Sequence, residues 1–201
     1  VRPLIQANGS SHFNEVFLSG VRIPIEQVVG EVHDGWKPTR TVLANEAAFI
    51  GRGGGAPASE RLLRLATQYS GLNDPTVRQR LAQIISRERL QNLMGQRIQS
   101  AIREGQHPPF DPALTKLLAA GTKVLTGELA AELAGPAAVA GPQTGDREGI
   151  WVQSELLNRF AISIGGGTTE VQKNNLAERS LGLPREPDTN RGVSWKDVPR
   201  S

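Results

Sequence analysis

Cysteine is absent from all 201 residues. That excludes disulfides, thiolate nucleophiles and cysteine metal sites. Histidine is nearly absent: His12, His33 and His107 stand far apart in loop-like contexts, so no zinc cluster is predicted. No apolar run reaches the roughly 18 residues that a membrane-spanning helix needs. The opening Val1-Arg2-Pro3 lacks the pattern of a secretory signal, and the expected compartment is the cytoplasm. An excess of one charge is also lacking, with 23 Lys and Arg against 20 Asp and Glu for a net +3. Without a cationic block or interleaved aromatics, nucleic acid is not an expected partner. No internal repeat is visible.

Glycine and proline are what the chain has in plenty, 22 and 13 residues. The length suffices for one domain with a core, or one domain plus a fragment. The densest glycine stretch is Ile164 to Leu183, IGGGTTEVQKNNLAERSLGL. Three positions without side chains let a backbone approach a ligand closely or take up positive φ. Thr168 or Thr169 then caps a polar helix, leaving free backbone N–H groups that suit an anion or a polarised carbonyl. A plain helix-to-helix turn is the alternative reading of these residues.

Residues 1–33 read as strand and turn. Phe13 to Leu18 alternates apolar and polar, and Val21 to Pro24 is a second short extended segment that Pro24 keeps at an edge. This is too little for a sheet that stands alone. It reads as the end of a β-domain. From Asp34 onward the period is helical, through Val42, Leu43, Ala47, Phe49 and Ile50, until glycines 51, 53, 54 and 55. These mark a helix break or a close approach to another group. Leu62 to Ala66 resumes the helix. Asp74-Pro75 and Asp111-Pro112 are two strong start signals, each followed by a long amphipathic stripe. A shorter helix is expected over 148–162, and a last one from 169 to about 181. The fold class is therefore mainly α, an up-and-down four-helix bundle preceded by a few β-strands.

Three blocks resemble the acyl-CoA dehydrogenases, a family of flavoproteins. They are FNEVFLSGVRIPIEQVVGEVHDGW (13–36), TVLANEAAFIG (41–51) and IGGGTTEVQKNNLAERSLGLP (164–184). With the helix spacing between them, the resemblance covers nearly the whole chain. It implies that residues 1–33 are the end of the family's middle β-domain, 34–183 its C-terminal helical bundle, and 184–201 an extended tail. Most of the walls that bind FAD and the acyl chain would lie in segments outside this sequence. By itself the chain is then expected to retain FAD poorly and to lack dehydrogenase activity.

The resemblance also implies the chemistry. A glutamate takes the α proton of an acyl-CoA thioester while the β hydride goes to the flavin. A C–H beside a thioester is a poor acid, so the reaction needs a carboxylate base and hydrogen bonds on the thioester oxygen. Many members carry the base on the closing loop, where this chain has Gly166. The Gly166 backbone N–H keeps the oxygen-binding role, which needs no side chain. Other members carry the base on the first helix of the bundle, where this chain has Glu46. Ala44, Ala47, Ala48 and Phe49 around it would partly desolvate the carboxylate and strengthen it as a base; a surface glutamate is the alternative. Ala47 stands where the family usually has arginine.

For FAD, the resemblance implies contacts from Thr168, from Glu170 and from Gly135, the last through a loop that approaches the cofactor of a neighbouring subunit. The family's second glycine there is Pro136. Gln79 matches a glutamine of the dinucleotide region, although the Arg-x-x-Phe-Gly pattern before it is missing; a solvated helix face is the other reading. The implied partners are an acyl-CoA substrate, an electron-transfer flavoprotein as acceptor, and further subunits in a homo- or hetero-oligomer. An alternative function follows from the same departures. The chain would then be a non-catalytic subunit of a hetero-oligomeric acyl-CoA dehydrogenase acting on a bulky, sterol-like acyl-CoA.

Overall fold

In the computed structural model the described residues are 1–50, 57–107, 111–142, 145–190 and 192–199, without the side chains of 44–50, Pro112 and Trp195. The glycines at 51, 53, 54 and 55 lie outside them. The fold is mainly α. Strands β1 (Arg2–Leu4) and β2 (Phe13–Glu15) form a two-stranded antiparallel sheet, with Pro3 opposite Asn14. The alternation at Phe13 extends only three residues, and Val21 to Pro24 is not a strand. Pro24 instead opens a 3-10 turn over Ile25–Gln27. Two short strands bury nothing of their own, so the pairing ends where the hydrogen bonds of the hairpin end.

Helix α1 spans Trp36–Ile50 and α2 spans Ala58–Gln68. Pro57 gives α2 no side-chain cap, and Glu88 supplies one across space. Its carboxylate accepts from the Ser59 backbone N–H at 3.2 Å and from the Ser59 hydroxyl. Both Asp-Pro signals start helices as read. Asp74 accepts from Thr76 N at 2.7 Å to begin α3 (Pro75–Arg103), and Asp111 accepts from Ala113 N at 2.8 Å to begin α4 (Pro112–Ala134). Four short elements follow: α5 (Ala137–Ala140), α6 (Arg147–Leu157), α7 (Ala161–Ile164) and α8 (Thr169–Asn175).

Two helix expectations change. The 148–162 segment breaks after Leu157, where Arg159 turns back to bond the Leu156 carbonyl at 2.6 Å and stacks on Phe160. The last helix is α-helical only to Asn175 and closes in a wider π-type turn over Leu176–Ser180.

Helices α2, α3, α4 and α6 make the bundle, with α4 against all the others. Arg80 of α3 pairs with Glu132, and Arg87 bonds Thr122 at 3.0 Å and the Leu118 carbonyl at 3.2 Å, so α3 and α4 run antiparallel. The apolar core sits toward the C-terminal end of α4. Leu129, Ala130 and Leu133 meet Leu62 and Leu65 of α2, Val77 and Ile84 of α3, and Val152 of α6. Gly127 lets α4 and α6 approach: a Cβ there would stand 2.6 Å from the Glu155 carbonyl. The other end of α4 packs through polar groups, and there the glycine loop closes on it. Among the described residues no helix is long and apolar enough to cross a membrane.

Candidate functional site

The loop between α7 and α8 is shaped by its glycines. Gly166 and Gly167 have φ of 66° and 89°, a left-handed region that side chains disfavour by about 1–2 kcal/mol per residue. A Cβ on Gly167 would also stand 3.0 Å from the Gln172 side-chain nitrogen. Thr168 then caps α8, its Oγ1 accepting from the Val171 N–H at 3.2 Å. The hydroxyl keeps its own proton to donate.

Both loop carbonyls are held from behind. Gln172, on α8, donates from Nε2 to the Gly166 oxygen at 2.9 Å. Lys116, on α4, donates from Nζ to the Gly167 oxygen. Both side chains are buried, at 9% and 4% exposure. Burial without a carboxylate partner among the described residues pushes the Lys116 ammonium below the usual lysine range. By contrast, no group among the described residues accepts from the backbone N–H of Gly166, Gly167 or Thr168. The loop thus presents three amide donors with their peptide carbonyls fixed at two of the three links. Amide donors of this kind suit an oxygen that carries or develops negative charge.

The sequence-derived site residues fall into two groups. Gly166, Thr168 and Glu170 share the loop and the first turn of α8, and Glu170 is exposed. Gly135 ends α4, with φ of 57° and its N–H bonded to Ala131 and Glu132. Nineteen residues separate it from Lys116, roughly 28 Å along a helix that rises 1.5 Å per residue. Gln79 is exposed on α3 beside Arg80, whose partner Glu132 precedes Gly135 by one turn, so it belongs to that far end. The backbone of Glu46 lies in α1, and its side chain lies outside the described residues. Among the described residues no cluster of His, Asp and Glu suits a metal.

Lys116 and Gln172 were not singled out from the sequence. Lys116 shares an inward face of α4 with Ala113 and Ala120 at helical spacing, which shows only once their burial is known.

Comparison with known proteins shows what the chain as a whole is similar to. The family model for the acyl-CoA dehydrogenase C-terminal domain matches residues 33–181. The chain is 33% identical over 187 residues to acyl-CoA dehydrogenase FadE34 of Mycobacterium tuberculosis, covering 92% of this chain and 25% of that protein. It is 33% identical over 191 residues to acyl-CoA dehydrogenase IpdE1 of the same organism, covering 92% and 48%. A solved structure described as the Tcur3481-Tcur3483 steroid ACAD superposes with a TM-score of 0.76 at 25% identity, over 92% of this chain and 48% of that one. The chain therefore spans about half the length of IpdE1 and about a quarter of FadE34.

Proposed function

The chain belongs to the acyl-CoA dehydrogenase family, and from that premise we propose that it forms the C-terminal part of an FAD-dependent enzyme that desaturates an acyl-CoA thioester between its α and β carbons. The observation that carries this reading is the glycine loop, with amides at Gly166, Gly167 and Thr168 that are unpaired among the described residues and carbonyls pinned by Gln172 and Lys116. These donors fit the thioester oxygen, on which charge grows as the α proton leaves. The Thr168 hydroxyl, with a proton to give, fits an acceptor on the flavin. The chemistry supplied by bound FAD is acceptance of the β hydride. Glu46 is the proposed base, taking the α proton on its carboxylate, because position 166 offers none. Gly135 and Gln79, at the far end of α4, fit contacts to the cofactor of a neighbouring subunit rather than to the same one.

In this reading residues 1–33 are the last strands of a β-domain, 34–183 the bundle domain, and 184–201 a tail. None of the described side chains among residues 1–43 is buried, and Phe13, Phe17, Leu18 and Trp36 are all exposed. Apolar side chains in that number fit a surface covered by further strands. An electron-transfer flavoprotein is the proposed acceptor.

A second reading is favoured by Gly166 standing where most of the family has its carboxylate, and by the two-chain designation of the steroid enzyme above. Here the chain is the non-catalytic subunit of a hetero-oligomer acting on a sterol-like acyl-CoA. One experiment separates the two: purify the native full-length protein, identify any chain that accompanies it, and mix it anaerobically with acyl-CoA thioesters. Bleaching of the flavin by the protein without a second chain supports the first reading. Bleaching only in the presence of a related chain supports the second. No flavin and no bleaching in either form defeats both.

A further inference from the structure

The Gly166 and Gly167 carbonyls are held by two buried donors from different helices. The Lys116 Nζ–Gly167 oxygen bond ties the loop to α4, and the Gln172 Nε2–Gly166 oxygen bond ties it to α8. Each carbonyl belongs to a peptide whose other end is a free donor. The Gly166 carbonyl shares its peptide with the Gly167 N–H, and the Gly167 carbonyl with the Thr168 N–H. A hydrogen bond accepted by a peptide oxygen polarises that peptide and strengthens its N–H as a donor. A cation does so more strongly than a neutral amide.

Lys116 is an expensive way to make a structural contact. A buried ammonium loses its hydration, and a carbonyl compensates it less than a carboxylate does. Two turns along α4, Lys123 makes the ordinary arrangement: it is more exposed and faces Glu155 at 2.5 Å. A methionine of similar shape at 116 would fill the same space without that cost.

We propose that Lys116 is the positioning residue of the glycine loop, polarising the Gly167–Thr168 peptide and fixing the loop so that its amides bind the thioester oxygen of an acyl-CoA, with Gln172 doing the same for the Gly166–Gly167 peptide. This rests on the acyl-CoA reading given above. It assigns no contact with substrate to Lys116 itself.

The test uses the full-length protein, with any partner subunit it requires, as wild type, Lys116→Met and Gln172→Met. Two probes are bound to each: an enoyl-CoA thioester, and the matching thioether that lacks the carbonyl oxygen. Thermal midpoints are measured alongside. For Lys116→Met, thioester affinity falls about tenfold, thioether affinity is unchanged, and the midpoint at neutral pH is unchanged or higher. Gln172→Met shifts the thioester in the same direction by less. Equal losses for both probes, or unchanged thioester affinity in a folded Lys116→Met protein, overturns the proposal. If Lys116→Met does not fold, a residue with a structural role is indicated and the proposal falls, unless Gln172→Met folds and shows the thioester-selective loss. Wild type that binds neither probe defeats the acyl-CoA reading itself, and this inference with it.

Discussion

Lys116 and Lys123 lie two turns apart on α4, yet Lys123 faces the Glu155 carboxylate while Lys116 is buried against the Gly167 carbonyl. The difference sets a pH dependence. Burial holds the folded-state pKa of Lys116 below the 10.5 that a lysine keeps in the unfolded chain. Between those two values the unfolded chain binds more protons, so stability rises with pH across that window. The burial cost is full below the lowered pKa and is relieved as pH climbs through it toward 10.5. The thermal midpoint of wild type, taken relative to Lys116→Met, should be flat below the lowered pKa and rise through it toward 10.5. A relative midpoint that falls over the alkaline range would mean that the lysine is stabilised as a cation instead.

Gly127 and Gly95 should respond oppositely to alanine. At Gly127 the added Cβ meets the Glu155 carbonyl at 2.6 Å and the Arg159 Cβ at 3.1 Å, so α4 and α6 must separate. The expected loss is about 1–3 kcal/mol of stability, as for other overpacked sites. At Gly95, inside α3, nothing lies within 4 Å, and alanine gains up to about 1 kcal/mol from helix propensity. Denaturant unfolding of the two variants checks both signs.

Asp111 should matter more than Asp74, although the sequence presents them as the same signal. Each caps a helix, and removing such a cap costs about 1 kcal/mol. Asp111 also accepts from the Ser180 hydroxyl at 3.1 Å, joining the start of α4 to the closing π-type turn. Asp111→Ala should therefore lower the thermal midpoint more than Asp74→Ala. It should also raise hydrogen exchange around Leu176 to Leu183, whereas Asp74→Ala leaves that segment unchanged.

These contrasts show what the sequence carried. The helix starts at Pro75 and Pro112 were legible because an Asp-Pro pair acts locally, through one side chain and one fixed φ. A cap at Thr168 or Thr169 was legible for the same reason, and the structure has it at Thr168. The break after Leu157 was not, since Asn158-Arg159-Phe160 holds neither glycine nor proline and the turn is fixed by Arg159. Nor was the cap that Glu88 lends to α2, which joins residues 29 apart. The glycine loop itself stood out, but the groups behind it did not. Lys116 and Gln172 are polar side chains on helices, and polarity reads as solvent exposure until the packing of a second element is known. The family resemblance located Gly166 and Thr168 but was silent on what holds them.

Gly167 should tolerate no side chain. Gly167→Ala combines a φ of 89° with a Cβ 3.0 Å from the Gln172 amide nitrogen. A destabilisation of about 1–2 kcal/mol is expected from the backbone alone. The Gln172–Gly166 bond should lengthen, which a crystal structure of the variant would show.

In the proposed reaction this chain brings a carboxylate and a set of backbone donors to the α carbon of an acyl-CoA. The most direct measurement is exchange of the substrate's α hydrogen with deuterated water, followed by mass spectrometry. It compares wild-type full-length protein, with any partner it requires, and its Glu46→Gln variant. Wild type should exchange the α hydrogen, and the variant should lose at least about a hundredfold, the scale of a removed general base. Exchange that proceeds undiminished in a folded Glu46→Gln protein would contradict it.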